Sequence, residues 1–312
     1  MNEWNQKRVF ISGGAGVIGT ALVERLINLG ARILVGDLKP MPSAWKNHVQ
    51  YRHGDLNTLT KEEIQAFSPE IFFHLAATFE RSEETYEFWN ENFHHNILLS
   101  HHLASLLKDQ PFLSKVIFAS SYLIYDPSQY LFDQPPTESK KLKETSKIYP
   151  RNLCGMSKLL HEQELQFLKN FLPNLQAVNA RIFRSYGKNS RDIISRWIRS
   201  LLAEETITLY RPEGKFDFIY AEDVAEGLLH LATSGFSGSV NLGSGYSRSI
   251  EEVIGVLSTH FKTIKIKREV SSIPCEASQA DMELFIRLTG WNHFQTLEDT
   301  IPKIIDFESQ RL

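Results

Sequence analysis

The feature that most constrains this chain is a run of glycines set between a short apolar segment and an amphipathic one. Val9-Phe10-Ile11 reads as a strand, Gly13-Gly14-Ala15-Gly16-Val17-Ile18-Gly19 follows, and residues 17–28 then carry apolar side chains at helical spacing. Glycine permits the tight turn and a close approach of backbone N–H groups to a ligand, while the N-terminus of the helix behind it carries partial positive charge. Strand, turn and helix are the first half of a βαβ unit, which commits the chain to a parallel sheet. The next strand ends at Asp37, where an acidic side chain accepts from adenosine ribose hydroxyls and repels a 2′-phosphate. The turn therefore predicts a bound dinucleotide, and Asp37 favours NAD over NADP, with Lys39 the nearest countercharge.

Further strands are expected near 49–53, 71–75, 115–120 and 175–182, with helices at 86–107 and 152–171 between them. Beyond residue 182 the pattern becomes a helix at 193–202, short strands at 207–210 and 216–220, and helices at 221–233, 249–261 and 296–307. The expected fold is α/β, a Rossmann-like doubly wound parallel sheet with a smaller interleaved C-terminal substrate lobe. Residues 1–182 with about 217–247 form the first domain, and about 183–216 with 248–312 form the lobe. The Pro-, Lys- and Glu-rich stretch 133–150 lacks apolar periodicity and reads as a mobile loop.

Composition narrows the partners. At 312 residues and 42% hydrophobic content the chain can bury a large core, and its formal charge of -3 gives no reason to expect nucleic acid or an anionic membrane. Cys154 and Cys275 match no metal-ligand spacing. His94, His95, His101 and His102 share a helix without an i, i+4 pair, so no metal site is expected and a solvated or interface face is preferred. The opening apolar run is too short for a signal segment, and a reducing, cytoplasmic setting is expected.

Other segments in fixed order accompany the glycine turn. They are Gly54-Asp55-Leu56, His74-Leu75-Ala76-Ala77, Asn90 and Asn96, Ser120-Ser121-Tyr122 with Tyr125, Arg181-Ile182-Phe183 with Tyr186-Gly187, Asp217 through Asp223, Asn241 through Gly245, and Gly290-Trp291. With these motifs the chain resembles, over nearly its whole length, the extended short-chain dehydrogenases/reductases, the group of UDP-galactose 4-epimerase and the nucleotide-sugar dehydratases. The resemblance implies that Gly13, Gly16, Val17, Ile18, Gly19, Asp37, Leu38, Asp55, Leu56, Leu75, Ala76, Ala77, Asn90, Lys158 and Phe183 hold NAD. It implies that Thr78, Ser121, Tyr122, Arg184, Arg191 and Arg199 face a nucleotide sugar, and that the chain forms a homodimer through the 86–107 helix.

Two departures bear on the chemistry. The family places a Tyr four residues before a Lys on one helix face, with a Ser from the fifth strand; here the matching segment is Cys154-Gly155-Met156-Ser157-Lys158, and Ser121 supplies the serine. A thiol beside Lys158 ionises more readily than a phenol, but its sulfur stops several bonds short of a phenolic oxygen. Cys154 therefore either receives the substrate proton, directly or through water, or merely fills space, and Tyr122 is the other candidate base. The second departure is Phe216, where the family carries a phosphate-binding arginine before Asp217; no arginine precedes Ala280-Asp281 either. Arg184, Lys188, Arg191, Arg196, Arg199 and Arg211 are the cations of this region, and Arg184 is expected to face the substrate. The expected activity is NAD-dependent oxidation of a sugar hydroxyl, ending in epimerisation or dehydrogenation. The competing expectation is a non-catalytic NAD-binding sensor or assembly partner.

Overall fold

A computed structural model describes residues 3–81 and 83–311. Seven strands form the main sheet: β1 (Arg8–Ser12), β2 (Arg32–Asp37), β3 (Gln50–His53), β4 (Ile71–His74), β5 (Lys115–Ser121), β6 (Gln176–Ile182) and β7 (Gly238–Leu242), in the order β3-β2-β1-β4-β5-β6-β7. Strand order reverses between β1 and β4, and in open α/β sheets ligands bind at the carboxyl ends of the strands beside such a reversal. Parallel register sets Ser12 opposite both Gly36 and His74, so the carboxyl ends of β1, β2 and β4 finish together.

The β1, β4 and β5 segments are apolar almost without interruption because helices cover both of their faces, and Val9, Phe10, Ile11, Phe73, Val116 and Ile117 are fully buried. Helix α1 (Val17–Asn28) spans the residues that the sequence predicts, and α2 (Leu153–Leu168) starts one residue late because Asn152 is its cap, accepting from Gly155 N at 2.9 Å. The 86–107 prediction resolves into helix Tyr86–Asn92, a π-helical stretch Phe93–Leu98 and helix Leu99–Leu107. The helix Lys61–Phe67 lay outside the predicted elements, although Thr60 and Glu63 form a complete capping box before it.

The chain divides into two compact units, one of residues 1–125, 148–181 and 225–240, the other of 126–147, 182–224 and 241–312. The boundaries differ from the expected domains: 126–147, 182, 217–224 and 241–247 fall with the second unit. The first is packed around Phe10, Phe72, Leu103, Val116, Phe118 and Leu165; the second around Tyr186, Trp197, Ile198, Phe218, Val253 and Ile301.

The stretch 133–150 is a correction to the mobile loop. Within the second unit Lys140–Leu142 pairs in parallel with Ser278–Ala280, Leu142 is fully buried, and Lys147 meets Asp126 at 2.7 Å. Three residues of Lys-Lys-Leu carry no periodicity, so a pairing this distant leaves no local trace. Among the described residues no helix is long and apolar enough to cross a membrane.

Candidate active site

In the first unit the glycine turn closes on the strand ends. Gly13 N donates to Gly36 O at 2.7 Å, and Gly13 adopts φ 76° with its α-carbon against β4's exit, where an added Cβ would lie 2.5 Å from Ala76 N. Only glycine satisfies both conditions. Asp37, nearly buried, accepts from Ala15 N at 2.8 Å and Lys39 N at 2.9 Å, which fixes its carboxylate beside the turn, while Lys39 Nζ turns to Ala15 O at 3.2 Å. Asp55 accepts from Asn57 N at 2.9 Å and pairs with His94 Nε2 at 2.7 Å. Although burial opposes it, these bonds hold Asp55 below the usual carboxylate range.

Beneath the turn lies a directed chain of hydrogen bonds. Ser100 Oγ gives its proton to Asn96 O at 2.5 Å, so His74 Nε2 donates to Ser100 Oγ at 2.9 Å and His74 Nδ1 accepts from Ser12 Oγ at 2.7 Å. The imidazole is neutral, since burial, His161 and Lys158 push it well below the usual histidine range. Asn96 grips Thr78 from both sides, accepting from Thr78 N at 2.7 Å and donating to Thr78 O at 3.1 Å, and the Thr78 hydroxyl donates to Glu91 at 2.5 Å. Thr78 is thus committed internally rather than open to substrate. Asn90 is exposed on its helix; the asparagine engaged with this loop is Asn96, which also donates to Asn92 Oδ1 at 2.6 Å.

Ser121, at the end of β5, is half-buried and accepts from Leu123 N at 3.2 Å; Tyr122 is buried. On α2 the Cys154 thiol lies buried with Thr78 O 3.8 Å away. Burial pushes the thiol up to about 12 against a smaller opposing pull from Lys158, which favours the protonated, space-filling alternative for Cys154 over the thiolate. A Cβ at Gly155 would lie 2.9 Å from Leu123 C, so the glycine lets α2 pack close to the segment that leaves β5.

Lys158 Nζ stands 4.7 Å over the Phe118 ring and makes no hydrogen bond or ion pair among the described residues. Burial depresses its ammonium to about 8 from an ordinary value of 10.5. Below pH 8 the fold must therefore carry a cation that its surroundings disfavour; the penalty is full there and disappears as pH rises toward the unfolded value. Lys158→Met is expected to raise stability by roughly 1–3 kcal/mol at pH 7, with the gain fading above pH 8 toward pH 10. Urea unfolding at the two ends of that range checks it, and equal gains at both would remove the buried-ammonium account.

One turn further, Glu162 receives Arg181 Nε at 3.1 Å and Nη2 at 2.8 Å, Ser120 Oγ at 2.5 Å and Ser239 Oγ at 3.2 Å, and Arg181 Nη1 donates to Tyr125 OH at 3.2 Å. This network is structural. It locks α2 to β5 and β6 from within.

In the second unit Asp217 is fully buried and accepts from Ser244 N and Oγ, Gly245 N and Ala280 N, all within 3.1 Å; burial still pushes it up to about 6. Arg184 stacks over Phe216 at 4.8 Å and reaches the buried Glu276 at 3.3 Å, and Glu276 also accepts from Ser278 Oγ at 2.8 Å. The expected anion-binding fork of Arg184 is thus partnered inside its own unit. Arg199 is likewise corrected: it donates to buried Glu308 at 3.1 Å and to Ser190 O at 2.7 Å, as a helix-packing residue does. Lys188 pairs with Glu222 and Arg211 with Glu213, while Arg191 and Arg196 are exposed. Phe183 is buried, its N–H bonded to Leu242 O at 3.0 Å.

His94 serves Asp55, His101 bonds Glu164 and His102 bonds Leu59 O, so the histidine helix is used locally. Among the described residues no three metal-ligating side chains converge. A glycine cradle that a Cβ would fill, a fixed Asp37 carboxylate and a Lys158 ammonium with no hydrogen bond or ion pair among the described residues fit a dinucleotide with its adenosine ribose at β2 and its nicotinamide half at α2.

The model of the NAD dependent epimerase/dehydratase family matches residues 9–243. The chain is 29% identical over 273 residues to UDP-N-acetyl-alpha-D-glucosaminuronate decarboxylase of Bacillus cytotoxicus, covering 80% of this chain and 78% of the relative. It is 25% identical over 326 residues to dTDP-4-dehydro-6-deoxyglucose reductase of Escherichia coli, covering 95% and 96%. The solved structure of MoeE5 in complex with UDP-glucose and NAD superimposes with a TM-score of 0.82 at 23% identity over 97% of this chain and 99% of that one.

Proposed function

Since the chain belongs to the NAD-dependent epimerase/dehydratase family, we propose that it oxidises a hydroxyl of a nucleotide-linked sugar to a ketone and resolves that ketone by epimerisation or as a net dehydrogenation. The single observation that carries this reading is the half-buried Lys158 ammonium, without a hydrogen bond or ion pair among the described residues, on the helix face where the family holds the nicotinamide ribose. Bound NAD supplies the hydride acceptor. Gly13, Gly16 and Gly19 present backbone to the pyrophosphate, Asp37 receives the adenosine ribose, Lys158 receives the nicotinamide ribose, and Ser121 orients the substrate hydroxyl. Asp37 also disfavours a 2′-phosphate, because Lys39 is turned away to Ala15 O.

The protonated state of Cys154 favours a second reading, an NAD-binding protein that no longer performs the chemistry. Both readings are separated by mixing the protein with NAD and a panel of UDP-, GDP-, CDP- and dTDP-sugars, following reduced-nicotinamide absorbance and analysing products. Turnover by the natural chain supports the enzyme; turnover only in Cys154→Tyr supports the retired one.

We also infer a homodimer. Trp89 and Phe93 on one helix and Met156, Leu160 and Phe167 on α2 are exposed apolar side chains at helical spacing, a face suited to a second copy. Light scattering of the same preparation should give twice the chain mass; a monomer at assay concentration would remove the inference. The two free cysteines accord with a cytoplasmic setting.

A further inference from the structure

The loop leaving β4 is fastened to the first turn of α2 by carboxylates. Asn152, the α2 cap, donates its amide N–H to Glu80 Oε1 at 3.1 Å, and Arg151 Nε stands 3.9 Å from the same oxygen. Leu153 N donates to Glu84 Oε1 at 2.7 Å, and the Cys154 thiol lies against Thr78 O of that loop. Glu80 is therefore held on the residue two positions before Cys154, close enough that its charge bears on the thiol.

Oxidising a hydroxyl requires something to take the hydroxyl proton. At this end of α2 the groups that the family pattern would offer are poor acceptors: Cys154 is already protonated, Lys158 is a cation below pH 8, and Tyr122 is buried. Glu84 is drawn onto the helix N-terminus by Leu153 N–H. Glu80 is instead tied to the Asn152 and Arg151 side chains at the Cys154 end of α2, where its charge reaches the thiol.

We propose that Glu80 is the proton acceptor for the substrate hydroxyl, in the role that a tyrosine at position 154 would fill. The proposal rests on the dehydrogenation reading above. As the carbinol carbon gives up its hydride to bound NAD, the O–H bond breaks, its proton passes to a Glu80 carboxylate oxygen and its electron pair forms the C=O bond. On reduction of the ketone the Glu80 carboxylic acid returns the proton to the same oxygen.

The test uses the natural chain, Glu80→Gln, Glu84→Gln, Cys154→Tyr and the double variant Glu80→Gln/Cys154→Tyr. Each is assayed with the sugar panel and titrated calorimetrically with the same sugars while saturated with reduced cofactor, which cannot turn over a hydroxyl. Glu80→Gln is expected to lower kcat by about 100-fold or more, and Cys154→Tyr to restore it in the double variant by supplying a second base. Glu84→Gln, which loosens the same loop, should stay within about threefold, and Glu80→Gln alone should weaken sugar binding by about tenfold through loss of a charged hydrogen bond. The proposal is overturned by near-natural turnover in Glu80→Gln, by a double variant as slow as the single one, or by turnover that appears only with Cys154→Tyr. In that last case the pocket still takes cofactor and sugar, and the natural chain is the retired protein of the second reading. A chain that neither binds nor converts any panel sugar in any variant overturns both.

Discussion

Gly19→Val is expected to weaken NAD binding by at least about 100-fold, a loss of close to 3 kcal/mol. A Cβ at Gly19 would press on Gly13 O and lie 2.7 Å from Gly14 Cα, so the obstacle on both sides is backbone of the turn itself. Relief requires the start of α1 to withdraw by roughly an ångström, since carbon contacts settle at about 3.5–4.0 Å. That movement takes the helix N-terminus and its N–H groups off the pyrophosphate position, and no side-chain rotation can avoid it. Gly16 is a milder case, its added Cβ meeting Gly13 O at 3.1 Å, so Gly16→Ala should lose less than Gly19→Val. Calorimetric NAD titration with circular dichroism as a fold check measures both; unchanged affinity in Gly19→Val would move the cofactor elsewhere.

The largest loss of stability is expected from Glu162→Ala, roughly 3–5 kcal/mol. Arg181 and Glu162 side chains are 5% and 3% exposed, and the carboxylate collects bonds from Arg181, Ser120 and Ser239. Burial alone would draw the guanidinium down, but Glu162 keeps Arg181 above its ordinary value. Removing the carboxylate strands a cation in the interior and leaves two hydroxyls without an acceptor. Exchanging both charges at once, as Glu162→Met with Arg181→Met, should recover much of the loss, because no unpaired charge remains. Urea unfolding resolves the two cases, and a small effect of Glu162→Ala alone would mean that water reaches the pair.

What the sequence reveals follows the range over which its signals act. The strands from β1 to β6 lie within one residue of their expected places because each is a local apolar run bounded by turn residues, and α1 is set by the glycine turn before it. The short helix Lys61–Phe67 was legible through Thr60 and Glu63, and Glu283–Thr289 through Gly290 at φ 68°. Asp37 can be named from its spacing behind the glycine turn, and Lys158 and Ser121 from the family resemblance, yet the states of the site's residues cannot: the protonation of Cys154 depends on burial by distant segments, and Arg184 is claimed by Glu276, ninety-two residues away. Glu80 carries no motif at all. It is found only once the loop after β4 is seen resting on α2.

The pairing of Lys140–Leu142 with Ser278–Ala280 sets an order of events during synthesis. At about 5–20 residues per second, the ribosome needs roughly 7–28 s to reach the second segment after the first has been made. Through that interval Leu142, fully buried in the finished protein, has no partner strand, and Asp217 awaits the N–H of Ala280. A nascent chain arrested before residue 278 therefore presents an unfinished second unit, a natural substrate for chaperones and proteases, and only the last ninth or so of translation completes it.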